Sequence, residues 1–303
     1  MTRLFWFIAV LAVLAGLPLA AQERVTLGWG RMFSNDAIGD GHDRWRSGSY
    51  QLSVLRGESF SGHLPKTPGA LLEFRVNSQI IAPANLSKTA PGDRQYVGML
   101  SFGAHTVFAW RGYDINLGSD LVIVGPQTGV GSFHKWIHRV LDLTGPKAVS
   151  RQIGDGLYPS LLAEVGRDVV MAPNVTLRPF VEAQIGAESL MRVGGDLVIG
   201  SLGQGAIMAR DMVSGQRYRI VEADHNLGYS LVMGGDVARV ADSVFLPVGG
   251  AAVMSSQRSR LRAGVHWQGQ KSSVFYGVSY LSREFESQPE GQLIGGLSLS
   301  LKF

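Results

Sequence analysis

The chain is 303 residues long and contains no cysteine, so neither a disulfide framework nor a thiolate site is open to it. Its formal charge of +4 is modest for that length and its basic residues are scattered. This argues against a nucleic-acid partner and fits anionic lipid head groups better. With 39 glycines and only 17% charged residues, the composition suits many strands, tight turns and a lipid-facing surface.

Residues 1–21 read as an export signal: Arg3 supplies the positive start, Leu4 to Leu17 an apolar stretch, and Pro18-Leu19-Ala20-Ala21 a small-residue exit. The expected mature chain is Gln22–Phe303, one barrel domain without a linker. No later segment holds about 18 uninterrupted apolar residues, which excludes helical membrane spans.

Twelve segments then read as strands: Val25–Phe33, Ser49–Leu55, Leu71–Ile80, Tyr96–Phe108, Tyr113–Val124, Ser160–Val170, Thr176–Gly186, Arg192–Gly200, Gly228–Val240, Arg260–Trp267, Ser273–Arg283 and Leu293–Phe303. The last is the cleanest. Leu293, Leu297, Leu299, Leu301 and Phe303 share one face, and Ser298, Ser300 and Lys302 the other, a period of two. An even number of strands is what a closed antiparallel barrel in a bacterial outer membrane requires. Closure also removes strand edges that hydrocarbon cannot hydrate. The predicted fold class is all-β, a transmembrane antiparallel β-barrel of about 12 strands. Trp110, Trp267, Tyr276, Tyr280 and Phe285 suit either interfacial girdles or the barrel interior.

Four long intervals, Asn35–Arg46, Pro83–Arg94, Gly125–Pro159 and Asp242–Ser259, all follow odd-numbered strands. With the N-terminus on the periplasmic side, these become extracellular loops. The third holds the one convincing helix, Pro126–Leu143. At about 100° per residue, Phe133, Trp136, Ile137, Val140 and Leu141 fill an apolar arc expected to lean on the barrel rim. Lys135, Arg139 and Asp142 lie opposite, and His134 and His138 occupy the shoulder between.

Four polar groups converge on that side: Asn35-Asp36, Asp43-Arg44-Trp45-Arg46-Ser47-Gly48, Asp93-Arg94-Gln95-Tyr96-Val97-Gly98, and the histidine helix. Each has an ordinary reading, Asn-Asp as turn residues and Asp-Arg as solvated ion pairs. In this order, with Gly125-Pro126 before the helix and Arg283-Glu284-Phe285-Glu286 before the last strand, they resemble the outer-membrane lipid A 3'-O-deacylase family over nearly the whole mature chain.

That resemblance implies a twelve-stranded barrel with its active site between the wall and an extracellular-loop helix, where calcium polarises an ester carbonyl and a histidine activates water. Imidazole suits the base, a positive centre suits the oxyanion, and calcium suits hard oxygen ligands. Carried over residue by residue, His138 is the expected base, Asp36 the principal calcium ligand and Asn35 a second ligand or positioner. Ser47 helps bind metal, water or substrate, while Arg94, with Asp93 and Arg44, holds a phosphate or sugar oxygen of lipid A. The implied partners are lipopolysaccharide and outer-membrane lipids, and a monomer is expected.

The chain departs from the family pattern in places. Ser47 stands for threonine, Gln95 for proline and His134 for glutamine, and Ala148–Asp155 replaces a stretch ending in glutamate. The carboxylate that assists His138 is therefore unplaced, with Asp142 and Asp155 as candidates. His134 and His138 at i and i+4 also permit zinc, given a third ligand such as Asp36 or His42. The alternatives to lipid A hydrolysis are an outer-membrane phospholipase and a non-catalytic barrel, a porin or adhesin.

Overall fold

In the computed structural model, residues 24–223 and 226–301 are described. The expected export signal and the terminal Phe303 lie outside them. Period-two alternation produces fifteen strands: β1 (Val25–Asn35), β2 (Trp45–Gly57), β3 (Leu72–Ala82), β4 (Val97–Trp110), β5 (Tyr113–Val124), β6 (Gly156–Gly166), β7 (Val169–Ala172) and β8 (Val175–Ile185); then β9 (Glu188–Ile199), β10 (Ala206–Arg210), β11 (Arg217–Glu222), β12 (Gly228–Ser243), β13 (Gln257–Gln268), β14 (Ser272–Leu281) and β15 (Gln292–Leu301).

Twelve of these close the barrel. Each of β1 to β5 pairs with the next, β6 pairs with β8, β8 with β9, β9 with β12, and β12 to β15 return to β1. Every pairing is antiparallel. Strand β7 only arms the turn before β8, so the expected strand Ser160–Val170 is cut at Gly166.

The barrel is apolar outside and polar inside. Phe74, Phe102, Leu121, Val193, Leu261, Leu299 and Leu301 are exposed, while Gln51, Ser53, Glu73, Arg75, Asn77 and Ser101 are buried. That is the inverse of a soluble core and the arrangement a lipid-facing wall needs. Trp110, Trp267, Tyr276 and Tyr280 lie on the outside, whereas Phe285 is buried and packs with Trp45, Leu246 and Ala252.

The interval from 201 to 227 has no counterpart among the expected elements. Strands β10 and β11 form a separate hairpin that fills the lumen. Arg210 reaches Glu164 on β6 at 2.8 Å and Asp196 on β9 at 3.0 Å. Gln216 donates to backbone carbonyls of Ala263 and Val278, at 3.2 Å each, and Gln51 on β2 donates to Tyr218 at 2.8 Å. Glycine admits the hairpin: a Cβ on Gly30 of β1 would stand 2.1 Å from the Arg219 carbonyl oxygen. A cavity of about 80 Å³ remains between the hairpin tip and the loops, room for a few waters.

The connections 36–44, 83–96, 125–155, 244–256 and 282–291 gather at one rim. The hairpin enters from the other. Helix α1 (Val130–Val140) stands on the long-loop rim, after a single 3-10 turn at Pro126–Thr128 and a left-handed Gly129. Asp142, at φ 55°, ends it. Its N-terminus sits close to the wall because glycines line the contact. A Cβ on Gly98 would meet Val130 Cβ at 3.0 Å, and one on Gly131 would meet Val149 at 2.6 Å.

Candidate active site

The face that α1 buries differs from the expected one. Val130, Gly131, His134 and His138 are its buried residues, while Phe133, Trp136, Val140 and Leu141 are exposed. The apolar arc does not lean on the rim. It faces away from the barrel, and the histidine shoulder is the docked side.

His138 is held at both nitrogens. Nδ1 lies 2.6 Å from the Thr144 carbonyl oxygen and Nε2 lies 2.8 Å from Asp43 Oδ2. A carbonyl only accepts, so Nδ1 carries the proton of that contact, and Nε2 is the nitrogen turned to the carboxylate. His134 Nε2 is 3.4 Å from the same Asp43 oxygen. Its Nδ1 is 3.2 Å from the Tyr96 hydroxyl, with the two rings stacked. Ser47 Oγ donates to Asp43 Oδ1 at 2.5 Å. Burial alone would raise the Asp43 carboxyl, but His134, Ser47 and His138 outweigh it and hold it below the usual carboxylate range.

Local backbone features aim these groups. The β2–β3 register shifts between Arg46 and Gly48, a bulge that turns Arg46 and Ser47 both inward. Trp45 just before it sits at φ 50°, a strained setting for a bulky residue. Burial among Leu246, Ala252 and Phe285 holds it there, with the Arg44 guanidinium 4.3 Å from its ring centroid.

Asp36 lies in the same loop. Its Oδ2 accepts the Arg44 N–H at 2.7 Å and Gln292 Nε2 at 3.3 Å, whereas Oδ1 is buried without a hydrogen-bond partner. Burial, opposed by the Arg44 N–H and reinforced by Asp43 and Asp40, pushes its pKa up to about 8. Asn35 accepts the Ala37 N–H at 2.8 Å, an Asx turn at the mouth of β1.

The other expected site residues lie elsewhere. Arg94 is buried and paired with Glu284, which also binds Arg46 at 2.7 Å and Arg258 at 3.4 Å. Asp93 accepts the N–H groups of Ala84 and Arg94 at 2.7 and 2.8 Å, so it shapes its own loop. Arg44 pairs with Glu290 at 2.9 Å and Asp40 at 3.3 Å. Asp142 is exposed and Asp155 accepts the Gln127 N–H at 2.8 Å, so neither serves His138. The carboxylate that lies against His138 is Asp43, 95 positions earlier. Sequence reasoning noticed Asp43 only as half of an Asp-Arg pair and missed Tyr96, Thr144 and Gln292. Asp43 and Tyr96 stand within motifs already singled out, but their approach to the helix depends on barrel closure.

A closed antiparallel barrel, apolar without and polar within, carrying a histidine–carboxylate site under a rim helix, defines an outer-membrane β-barrel with a rim site. The chain belongs to the outer membrane protein LpxR family, whose model matches residues 4–303. It is similar to the solved structure of LpxR from Salmonella typhimurium, with 17% identity, a TM-score of 0.77, and coverage of 91% of this chain and 100% of that one. KdgM porin in complex with disordered oligogalacturonate is a more distant match, with 8% identity, a TM-score of 0.41, and coverage of 91% of this chain and 98% of that one. No curated protein matches the chain in sequence.

Proposed function

We propose that the protein is an outer-membrane ester hydrolase that removes an acyl chain from lipid A in the extracellular leaflet, with His138 as general base. The observation that carries this reading is the tautomer lock on His138. Its Nδ1–H is committed to the Thr144 carbonyl and its Nε2 faces Asp43, beside a second buried carboxylate with a free oxygen. The side chain of Asp43 is about 33% exposed, so water has access to the edge between them.

A water entering there gives a proton to Nε2 while its oxygen attacks the ester carbonyl. The tetrahedral intermediate then expels the sugar alkoxide, which takes that proton back and leaves a fatty acid and a free hydroxyl. Asp43 stabilises the transient imidazolium, and Ser47 fixes Asp43. In this reading Ser47 positions the carboxylate and is not a nucleophile.

The donor set suits calcium. Asp36 offers a buried oxygen with no other partner, Asn35 lies beside it, and a bound dication would keep the Asp36 carboxylate ionised despite burial. Calcium held there would polarise the carbonyl. The lumen hairpin leaves little for a pore, which weighs against a porin. The exposed apolar face of α1 suits outer-leaflet acyl chains.

Mass spectrometry of lipid A from cells expressing wild type, His138→Gln or Asp36→Asn tests the proposal. Shortened lipid A is expected with wild type in calcium and with neither variant. Identical lipid A in all three cultures would refute the enzyme reading. Loss of chains from glycerophospholipid instead would identify a phospholipase.

A further inference from the structure

The structure assigns Asp43, His134 and His138 as a site for a transition-metal dication of the zinc class, separate in chemistry from the oxygen-rich set at Asp36. One ligand atom from each of the three lies within 4.8 Å of the other two. Around tetrahedral zinc, with ligand bonds of about 2.0–2.1 Å, neighbouring donor atoms lie roughly 3.3 Å apart. The Asp43 oxygen is 3.4 Å from His134 Nε2 and 2.8 Å from His138 Nε2, so these two edges are within a few tenths of an ångström of that spacing, and the imidazole–imidazole edge lies within 4.8 Å. Two imidazoles and one carboxylate are a borderline donor set, poor for calcium and good for zinc or cobalt.

Two further features point the same way. Each proposed ligand is held from behind, as metal-binding side chains are: His138 by the Thr144 carbonyl, His134 by the Tyr96 hydroxyl and Asp43 by Ser47. And the three donor atoms converge on one point: Asp43 Oδ2 lies 2.8 Å from His138 Nε2 and 3.4 Å from His134 Nε2. Partial exposure of Asp43 leaves the fourth position to water.

The consequence rests on the hydrolase reading. A metal on His138 Nε2 takes the lone pair that would accept the water proton, so the site works as a metal-sensitive off-switch. His134 is the residue that makes it, since glutamine at that position leaves only two of the three donors.

The test uses the full chain folded in detergent and titrated with Zn2+ and with Co2+ alone. Wild type is expected to bind about one equivalent of Zn2+ and to develop the intense visible bands of low-coordinate Co2+. His134→Gln is expected to weaken binding at least tenfold and lose those bands while keeping the heat-modifiable migration of a folded barrel. Should that variant not fold, Tyr96→Phe, which frees His134 Nδ1, is expected to weaken binding several-fold. Zn2+ affinity in a folded His134→Gln equal to wild type, or a featureless Co2+ spectrum in wild type, overturns the site. Lipid A cleavage is read separately in calcium. Intact metal binding without cleavage would sink the hydrolase reading alone, and cleavage indifferent to saturating Zn2+ would remove the switch.

Discussion

Replacing Phe133 and Trp136 together by serine tests which way α1 faces. The two rings stack with centroids 5.8 Å apart, and they are 54% and 52% exposed. Full burial of such a side chain is worth about 1.5–3 kcal/mol. Half of each remains available to acyl chains, so the pair stands to contribute roughly 2 kcal/mol to engagement of a lipid surface, or about 30-fold. The assay compares hydrolysis of lipid A embedded in bilayers with hydrolysis of a short-chain ester in solution. The double variant is expected to lose 10- to 30-fold in kcat/KM on bilayers, through KM, while its rate on the soluble ester and its thermal unfolding stay near wild type. An unchanged rate on bilayers would refute the outward orientation. So would a large loss of stability, because the rings would then be filling a core.

Gly30→Leu places a side chain where the Arg219 carbonyl now sits, 2.1 Å from an ideal Cβ. It should lower stability by about 1–3 kcal/mol and, in planar bilayers, open a leak that wild type lacks; a steady wild-type pore would contradict the lumen plug. Glu284→Gln leaves Arg94, Arg46 and Arg258 short of a counter-charge and should cost about 3–5 kcal/mol, read as a lower unfolding midpoint at pH 7. Burial alone would raise the Glu284 carboxyl, but the three arginines hold it far below its ordinary 4.5. Its contribution is therefore present above about pH 4.5 and lost as pH falls towards the depressed value. Between pH 7 and pH 3 the wild-type midpoint should fall more steeply than that of the variant.

The wall was legible because every strand alternates against two media. In β15 the leucines are outward and the serines inward, in the alternation that the bare sequence shows, and twelve such segments meet the even parity that a closed outer-membrane barrel requires. The lumen hairpin was not legible. Arg210, Asp211, Gln216 and Arg217 are polar because they meet the polar faces of the wall, and in sequence that composition is indistinguishable from a solvated loop. The pairing of Asp43 with His138 was hidden for a related reason. No local spacing links positions 95 apart, and only the ring closure that brings the β1–β2 and β5–β6 connections to one rim creates the contact.

The helix was legible as a helix and misread in its orientation, for a reason that bears on the site. Periodicity reports that an element has an apolar face, but not which medium that face meets. The rule that buries such a stripe belongs to proteins in water. At the rim of this barrel, the side that α1 turns to the interior is polar, so the wheel inverts. The lipid-compatible arc of Phe133, Trp136 and Val140 turns outward. His134 and His138, about 100° to 140° away round the helix from Phe133, are thereby delivered against Asp43 and Tyr96. The same inversion that places leucine on the outside of β15 is what buries two histidines over the site.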